Sequence, residues 1–217
     1  MKPLKRISCE WTPDLAYAIG LITTDGCLYK DGRHLAFVSK DYVLVLLFKK
    51  ILGLKNKIAK KRSGFIPSSY GYWIQFGDVN FYKFLVSIGL TPAKSKILGK
   101  LGVPDEFFFD FLRGHFDGDG SFYSYWDKRW ASSFMFYLSF TSASIRHLKW
   151  LQGRLQYLLG IKGHLDLAAK SGAFQLKYAK AEALVVSQRI YYREGIPRLE
   201  RKYRKVYTAL EVNAKNP

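Results

Sequence analysis

The sequence predicts an α+β protein made of two pseudo-repeated lobes. Two observations carry that class. The stretch "YAIGLITTDGCLY" (17–29) aligns without gaps with "FLRGHFDGDGSFY" (111–123), 94 residues further on, matching Gly20 to Gly114, Asp25 to Asp119 and Gly26 to Gly120. The same order of helix-like and strand-like runs then follows each copy. With 48% apolar residues in 217, each half has material for a hydrophobic core.

The elements follow from periodicity and punctuation. Each motif is an apolar helical run. Pro13 and Pro104 stand near the two starts, where proline's fixed φ and missing donor suit a first turn, and Thr12 is the expected N-cap of the first. After Gly26 come two strand-like runs, "CLYKD" and "HLAFVSK", then the helical "DYVLVLLFKKILGL". After Gly120 come "SFYSYWD" and "SFMFYLSFTS" with a longer hairpin, then "ASIRHLKWLQGRLQYLLGI", closing at Gly160. A second hairpin follows in each half. "NKIAKKRSGF" pairs with "YGYWIQFGD", and "GHLDLAAKSGAFQLKYAK" turns at "KSG". The helical runs "NFYKFLVSIGL" and "AEALVVSQRIYYRE" end the pattern, so each half reads helix, two strands, helix, two strands, helix. The expected division is 1–92, a linker at 93–105, and 106–217.

Charge indicates the partner. Thirty-five Lys and Arg stand against 17 Asp and Glu, a net +18, and a polyanion is the expected ligand. Membrane-surface binding is the rival, but "MKPLKRISCEW" has neither a myristoylation glycine nor a signal-peptide core, and no apolar run reaches spanning length. Cys9 and Cys27 with four scattered histidines make neither a spaced zinc module nor a disulfide framework. The chain reads as intracellular, in a bacterial or archaeal cytoplasm or an organelle, and not as secreted. Cys27, in an apolar run, is expected in the core.

A glycine inside a helix costs about 1 kcal/mol relative to alanine, so glycines at matching places in both motifs call for a reason, and close helix packing supplies one. If the motif helices pack through Gly20 and Gly114, Asp25 and Asp119 arrive together at one end. There the carboxylates repel each other and the negative helix termini. A divalent cation removes the penalty. Oxygen-only ligands point to Mg²⁺, which takes one or two carboxylates, keeps waters and accepts phosphate oxygens. An EF-hand is excluded by spacing: its twelfth position would be Lys128 counted from Asp117, or Trp130 counted from Asp119. Taken singly, either Asp-Gly reads equally well as a plain turn.

"IGLITTDG" (19–26) and "LRGHFDGDG" (112–120) resemble the two signature motifs of the LAGLIDADG homing endonucleases in their single-chain, two-repeat form, and the resemblance covers nearly the whole chain. It implies αββαββα lobes with saddle-shaped antiparallel sheets in the DNA major groove, on either side of a pseudo-two-fold axis, with the motif helices at the interface. It further implies a monomer in which Asp25 and Asp119 bind metal and activate water, each centre cutting one strand, leaving short 3′ overhangs. Mg²⁺ would be the cofactor, with Mn²⁺ substituting and Ca²⁺ binding without cleavage. The first motif departs from the pattern, with Thr23 where the second has Asp117. Members often carry a lysine at the end of the second strand. Here Lys40 follows Ser39, whereas the second copy reads Ser142-Ala143; Lys40 and Lys94 are the catalytic lysine candidates, with Lys96 of "PAKSKI" also on offer, and a solvated strand-end residue is the alternative reading of Lys40. His115 is read as a packed interface residue.

Double-stranded DNA would be read from the outward strand faces. Alternation buries Tyr72, Ile74 and Phe76 and presents Trp73 and Gln75; it buries Phe174, Leu176 and Tyr178 and presents Gln175 and Lys177. The same period groups Tyr29, Asp31 and Arg33 in the first half and Tyr123, Tyr125 and Asp127 in the second. Lys128, Arg129 and Trp130 fall in the long hairpin. Lys60, Lys61 and Arg62 in "KNKIAKKR", and the tail "RLERKYRKVY", are candidate phosphate contacts, or ordinary solvated faces. With 5 Trp, 15 Tyr and 16 Phe, most aromatics must serve the core. The expected function is therefore a site-specific double-strand DNA endonuclease. A chain opening on Met1 suits an intron-encoded or free-standing enzyme. The alternatives are a non-cleaving binder on the same scaffold, such as an intron-splicing maturase or transcription factor, and a basic structural protein of ribosome or chromatin type.

Overall fold

Thr12 begins the first helix as the sequence leads one to expect: its side-chain oxygen accepts the Leu15 N–H at 3.1 Å, and Pro13 occupies the first turn. The computed structural model describes residues 7–62, 70–130, 133–167 and 172–215. In chain order the elements are α1 (Pro13–Asp25), β1 (Gly26–Leu28), β2 (His34–Ser39), α2 (Tyr42–Ile51), β3 (Ala59–Arg62), β4 (Tyr70–Gly77) and α3 (Val79–Ser87). Then come α4 (Phe108–Asp119), β5 (Ser121–Trp126), β6 (Phe134–Ser142), α5 (Ile145–Leu159), β7 (His164–Leu167), β8 (Phe174–Ala179), α6 (Lys180–Ile190) and α7 (Glu200–Lys215). Residues 63–69 and 168–171, including most of the expected "KSG" turn, lie outside the described residues.

Two antiparallel four-stranded sheets result, ordered β1-β2-β4-β3 and β5-β6-β8-β7, so the repeat in sequence is a repeat in topology. The inner face of the first sheet carries Leu28, Leu35, Phe37, Ile74 and Phe76, and Phe48 of α2 stacks on Phe37 at 4.4 Å between ring centroids. Asp78 caps α3, accepting the Phe81 N–H at 2.9 Å. The second sheet buries Phe122, Phe136, Leu138, Phe140, Leu176 and Tyr178, with Leu148, Leu151 and Leu155 of α5 and Val186 and Ile190 of α6 also in the core. Gly160 ends α5 in the left-handed region, at φ 70°, where a side chain would be strained.

Two expectations change. The tail is not merely a basic run: 200–215 form the helix α7, which packs on β5 and β6 and buries Val206 and Ala209. Cys27 is exposed, because β1 alternates and buries Gly26 and Leu28 instead.

The chain divides into two compact units. One comprises Met1–Lys94 with Leu101–Gly118, the other Ser95–Lys100 with Asp119–Pro217. α4, which opens the second repeat, therefore packs with the first half almost to its last residue.

Candidate functional site

The reason α4 belongs with α1 is the pair of glycines. A Cβ on Gly20 would lie 2.6 Å from the His115 nitrogen and closer still to the Phe111 carbonyl oxygen. One on Gly114 would lie 2.9 Å from the Tyr17 carbonyl carbon, 3.1 Å from Gly20 Cα, and closer still to the Tyr17 oxygen. Tyr17 and Phe111 are themselves a repeat-matched pair, so the two contacts mirror each other. Backbone meets backbone, and only hydrogen fits.

Around this seam α1 is apolar on all sides and buried from Leu15 to Thr23, as a helix inside a core must be. α4 is buried too, but with charge. Arg113 forms a 2.7 Å ion pair with Asp110, and its guanidinium lies 5.3 Å from the centroid of the Tyr17 ring. The Tyr17 hydroxyl donates to Asp117 Oδ2 at 2.8 Å, whereas Thr23, the match of Asp117, donates to the Ile19 carbonyl of its own helix at 2.7 Å. His115 is buried with its ring edge-on to Phe111, the packed role expected of it.

Each motif helix ends on its aspartate, Asp25 or Asp119, and the next residue, Gly26 or Gly120, leads directly into a strand. The Gly26 N–H returns to the Ile22 carbonyl to close α1. Asp25 Oδ2 lies near Gly118, where a Cβ would come within 3.2 Å of it and 2.8 Å of Thr24 Cβ. Among the described residues no three or more His, Cys, Asp or Glu side chains gather into a metal cage. A hard cation held by one or two carboxylates, water and phosphate does not need one.

A buried lysine stands beside the first motif. Lys94 Nζ donates to the Gly26 carbonyl, one residue past Asp25. The second half repeats the arrangement with a residue sequence reasoning missed: Lys202 of α7 donates through Nζ to the Gly120 carbonyl at 2.7 Å, one residue past Asp119. Both ammonium groups offset negative charge at a helix C-terminus. The strand-end serines also match, Ser39 Oγ accepting the Asp41 N–H and Ser142 Oγ the Ser144 N–H, each at 3.1 Å. Lys40 beside the first is exposed, as is Lys96.

The strand faces bear the other candidates. On β4, Trp73 and Gln75 pair with Val38 and Ala36 on the face opposite buried Ile74 and Phe76. Gln175 and Lys177 lie likewise opposite Leu176 and Tyr178. Lys60 and Arg62 register with Tyr72 and Tyr70, the face away from Trp73; Lys61 pairs by its backbone with Gly71. Tyr29 follows β1 and is partly exposed. Asp31 and Arg33 do not continue that face, because β1 is three residues long and they form its turn. Asp31 accepts the His34 N–H at 2.9 Å and the Arg33 N–H at 3.1 Å, and these bonds, that of His34 foremost, hold its carboxyl down at about 2. Asp127 likewise lies past β5. The Arg129 guanidinium bonds it at 2.9 Å and lowers its carboxyl to about 2, so Arg129 is already paired, while Lys128 and Trp130 are exposed in the hairpin. Tyr123 and Tyr125 do share an outward face, and Tyr137 of β6, unremarked in the sequence, stacks with both. Alternation along "FMFYLSF" could have singled out Tyr137.

No family model and no curated protein matches the sequence. Solved structures do. The LAGLIDADG meganuclease I-AabMI, bound to uncleaved DNA, is 15% identical, with a TM-score of 0.62 over 94% of this chain and 91% of its own. The LAGLIDADG homing endonuclease I-LtrWI, bound to target DNA, is 13% identical, with a TM-score of 0.60 over 94% and 91%. Full-length DUF199/WhiA from Thermatoga maritima is 17% identical, with a TM-score of 0.56 over 92% of this chain, which spans 61% of that protein's length. Among the described residues no helix is long and apolar enough to cross a membrane. With its two glycine-packed motif helices and twin four-stranded sheets, the chain has the LAGLIDADG fold.

Proposed function

We propose that the protein is a site-specific, Mg²⁺-dependent endonuclease that hydrolyses both strands of a long double-stranded DNA target, acting as a monomer and leaving short 3′ overhangs. The observation that carries this reading is the doubled helix end: Asp25 with Lys94 at the Gly26 carbonyl, and Asp119 with Lys202 at the Gly120 carbonyl. One aspartate per motif suits one centre per strand. The donor set fits a hard cation, since carboxylates on helix C-termini are destabilised by the dipole and gain most from an added positive charge. When bound, Mg²⁺ would supply an activated water and neutralise charge on the scissile phosphate. The protein's share is to hold the two carboxylates on rigid, glycine-packed helices and to keep a lysine beside each. The outward strand faces, with Trp73, Gln75, Gln175 and Lys177, would position the duplex, and the net charge of +18 would supply affinity for phosphate.

A randomised duplex library incubated with Mg²⁺ should yield cut ends sharing one sequence. Asp25→Asn and Asp119→Asn should each abolish double-strand cutting while leaving binding in Ca²⁺ nearly intact. Unaltered cutting by either variant would remove the metal assignment. A duplex bound but never cut would favour a non-cleaving binder on the same scaffold.

A further inference from the structure

The outward face of the second sheet carries a feature the first lacks. Tyr123 on β5 sits directly across from Tyr137 on β6, and Tyr125 is two residues along. The three rings are nearly parallel: interplanar angles are 9°, 16° and 7°, and centroids are 6.4, 5.0 and 6.4 Å apart for Tyr123–Tyr125, Tyr123–Tyr137 and Tyr125–Tyr137. The three centroids make a triangle in which Tyr137 stacks with both others, so the rings cover one another's faces and leave their edges to a ligand. In the first half the match of Tyr123 is Tyr29, whose backbone N–H bonds the His34 carbonyl, so a histidine stands where the second half has Tyr137, and the match of Tyr125 is Asp31, in the turn.

Three properties decide what this row can do. It is ordered in advance, since each ring packs against the other two, so little side-chain entropy is lost when a ligand arrives. It is neutral: a hydrogen bond to Tyr137 raises the Tyr125 hydroxyl and burial raises that of Tyr123, so both keep their protons. And its spacing along β5, 6.4 Å, is close to two nucleotide steps of about 3.4 Å each. The strand that carries it begins one residue after Gly120, so the row extends outward from the second motif's aspartate.

We propose that Tyr123, Tyr125 and Tyr137 form a preassembled comb of phenol hydroxyls that reads about three consecutive base pairs in the half-site engaged by the second sheet. This rests on the DNA-binding reading above. Phenols that contact base edges release no counterions, so the comb contributes sequence preference without adding to salt dependence. The two half-sites are thus recognised by different means.

The test replaces hydroxyls and keeps rings. Duplexes are selected from a random library in Ca²⁺ with the wild type, with Tyr125→Phe alone and with all three tyrosines changed to Phe. The triple variant should bind the wild-type consensus about tenfold more weakly, roughly what losing one or two net hydrogen bonds costs. Base preference should flatten at about three adjacent positions of one half-site only, with an unchanged slope of log affinity against log salt. Tyr125→Phe should flatten a subset of those positions. Wild-type preferences in the triple variant, or uniform weakening at every position, would overturn the comb. Failure of the wild type to enrich any duplex would instead overturn DNA binding itself.

Discussion

α1 and α4 are repeats that agree at their ends and disagree in their middles. Both carry a glycine at the crossing, both stop at an aspartate followed by glycine, and both have a lysine on that glycine's carbonyl. Between those points α1 buries Ile19, Leu21 and Ile22, while α4 buries Arg113, His115 and Asp117. The seam therefore demands hydrogen at two places and elsewhere accepts any set of side chains that is packed and paired. Tyr17 and Arg113 supply the pairing that the charged helix needs and the apolar one does not.

The sharpest way to break the symmetry is at the crossing itself. In an exposed helix, Gly→Ala would gain about 1 kcal/mol. Here Gly20→Ala and Gly114→Ala should each lose about 3 kcal/mol, because the new methyl meets backbone that cannot rotate aside. Gly118→Ala should lose about 1 kcal/mol, since the methyl mainly meets the Thr24 side chain, which can turn at the expense of its 3.0 Å bond to the Leu21 carbonyl. Urea denaturation of the three variants measures the series. Equal losses at all three positions would show that the seam is not centred on the glycine pair.

The next comparison concerns the middles. Tyr17→Phe removes a donor to buried Asp117 and should cost about 1–3 kcal/mol, whereas Thr23→Ala at the matched position should cost less than about 1 kcal/mol. The Thr23 hydroxyl bonds back to its own helix, and losing it strands no charge. Equal melting temperatures for the two variants would mean that Asp117 does not depend on Tyr17.

Much of this was legible from the chain alone. The gapless 94-residue offset exposes Gly20 and Gly114, where the helices pack, and Asp25 and Asp119, where they end, because a local motif leaves its mark at fixed spacing. Lys202 was not legible. It lies on a helix outside the repeated pattern, off the 94-residue register with Lys94, and its partner is a backbone carbonyl that no side-chain pattern records. Asp31 was misplaced for a related reason. Period-2 alternation was extended through "YKDGR", but Gly32, at φ 73°, turns the chain and leaves β1 only three residues long. Tyr137 stands on the outward alternation of "FMFYLSF", but one tyrosine among fifteen gains meaning only with its cross-strand partner.

The smallest expected effect separates the two hairpin turns. Asp31 and Asp127 both titrate at about 2 instead of 3.8, but the first is held chiefly by the backbone N–H of His34 and the second by the Arg129 guanidinium. A depressed carboxyl stabilises the folded turn at pH above its unfolded value. That contribution is lost as pH falls from about 4 through about 2, so both turns should loosen over the same window. Asp31 also meets the His34 imidazole at 2.5 Å, so salt distinguishes the two turns in a His34→Ala background, where that partner is gone. Ion pairing at an exposed guanidinium is screened, whereas a short backbone hydrogen bond is not. Following the two side-chain carboxyl carbons by NMR at low salt and at about 1 M salt, where the Debye length is about 3 Å, should move Asp127 back toward 3.8 more than Asp31. Equal shifts would mean that Asp127, too, is held by its backbone contact with Arg129 more than by charge. The two turns would then work the same way despite their different lengths.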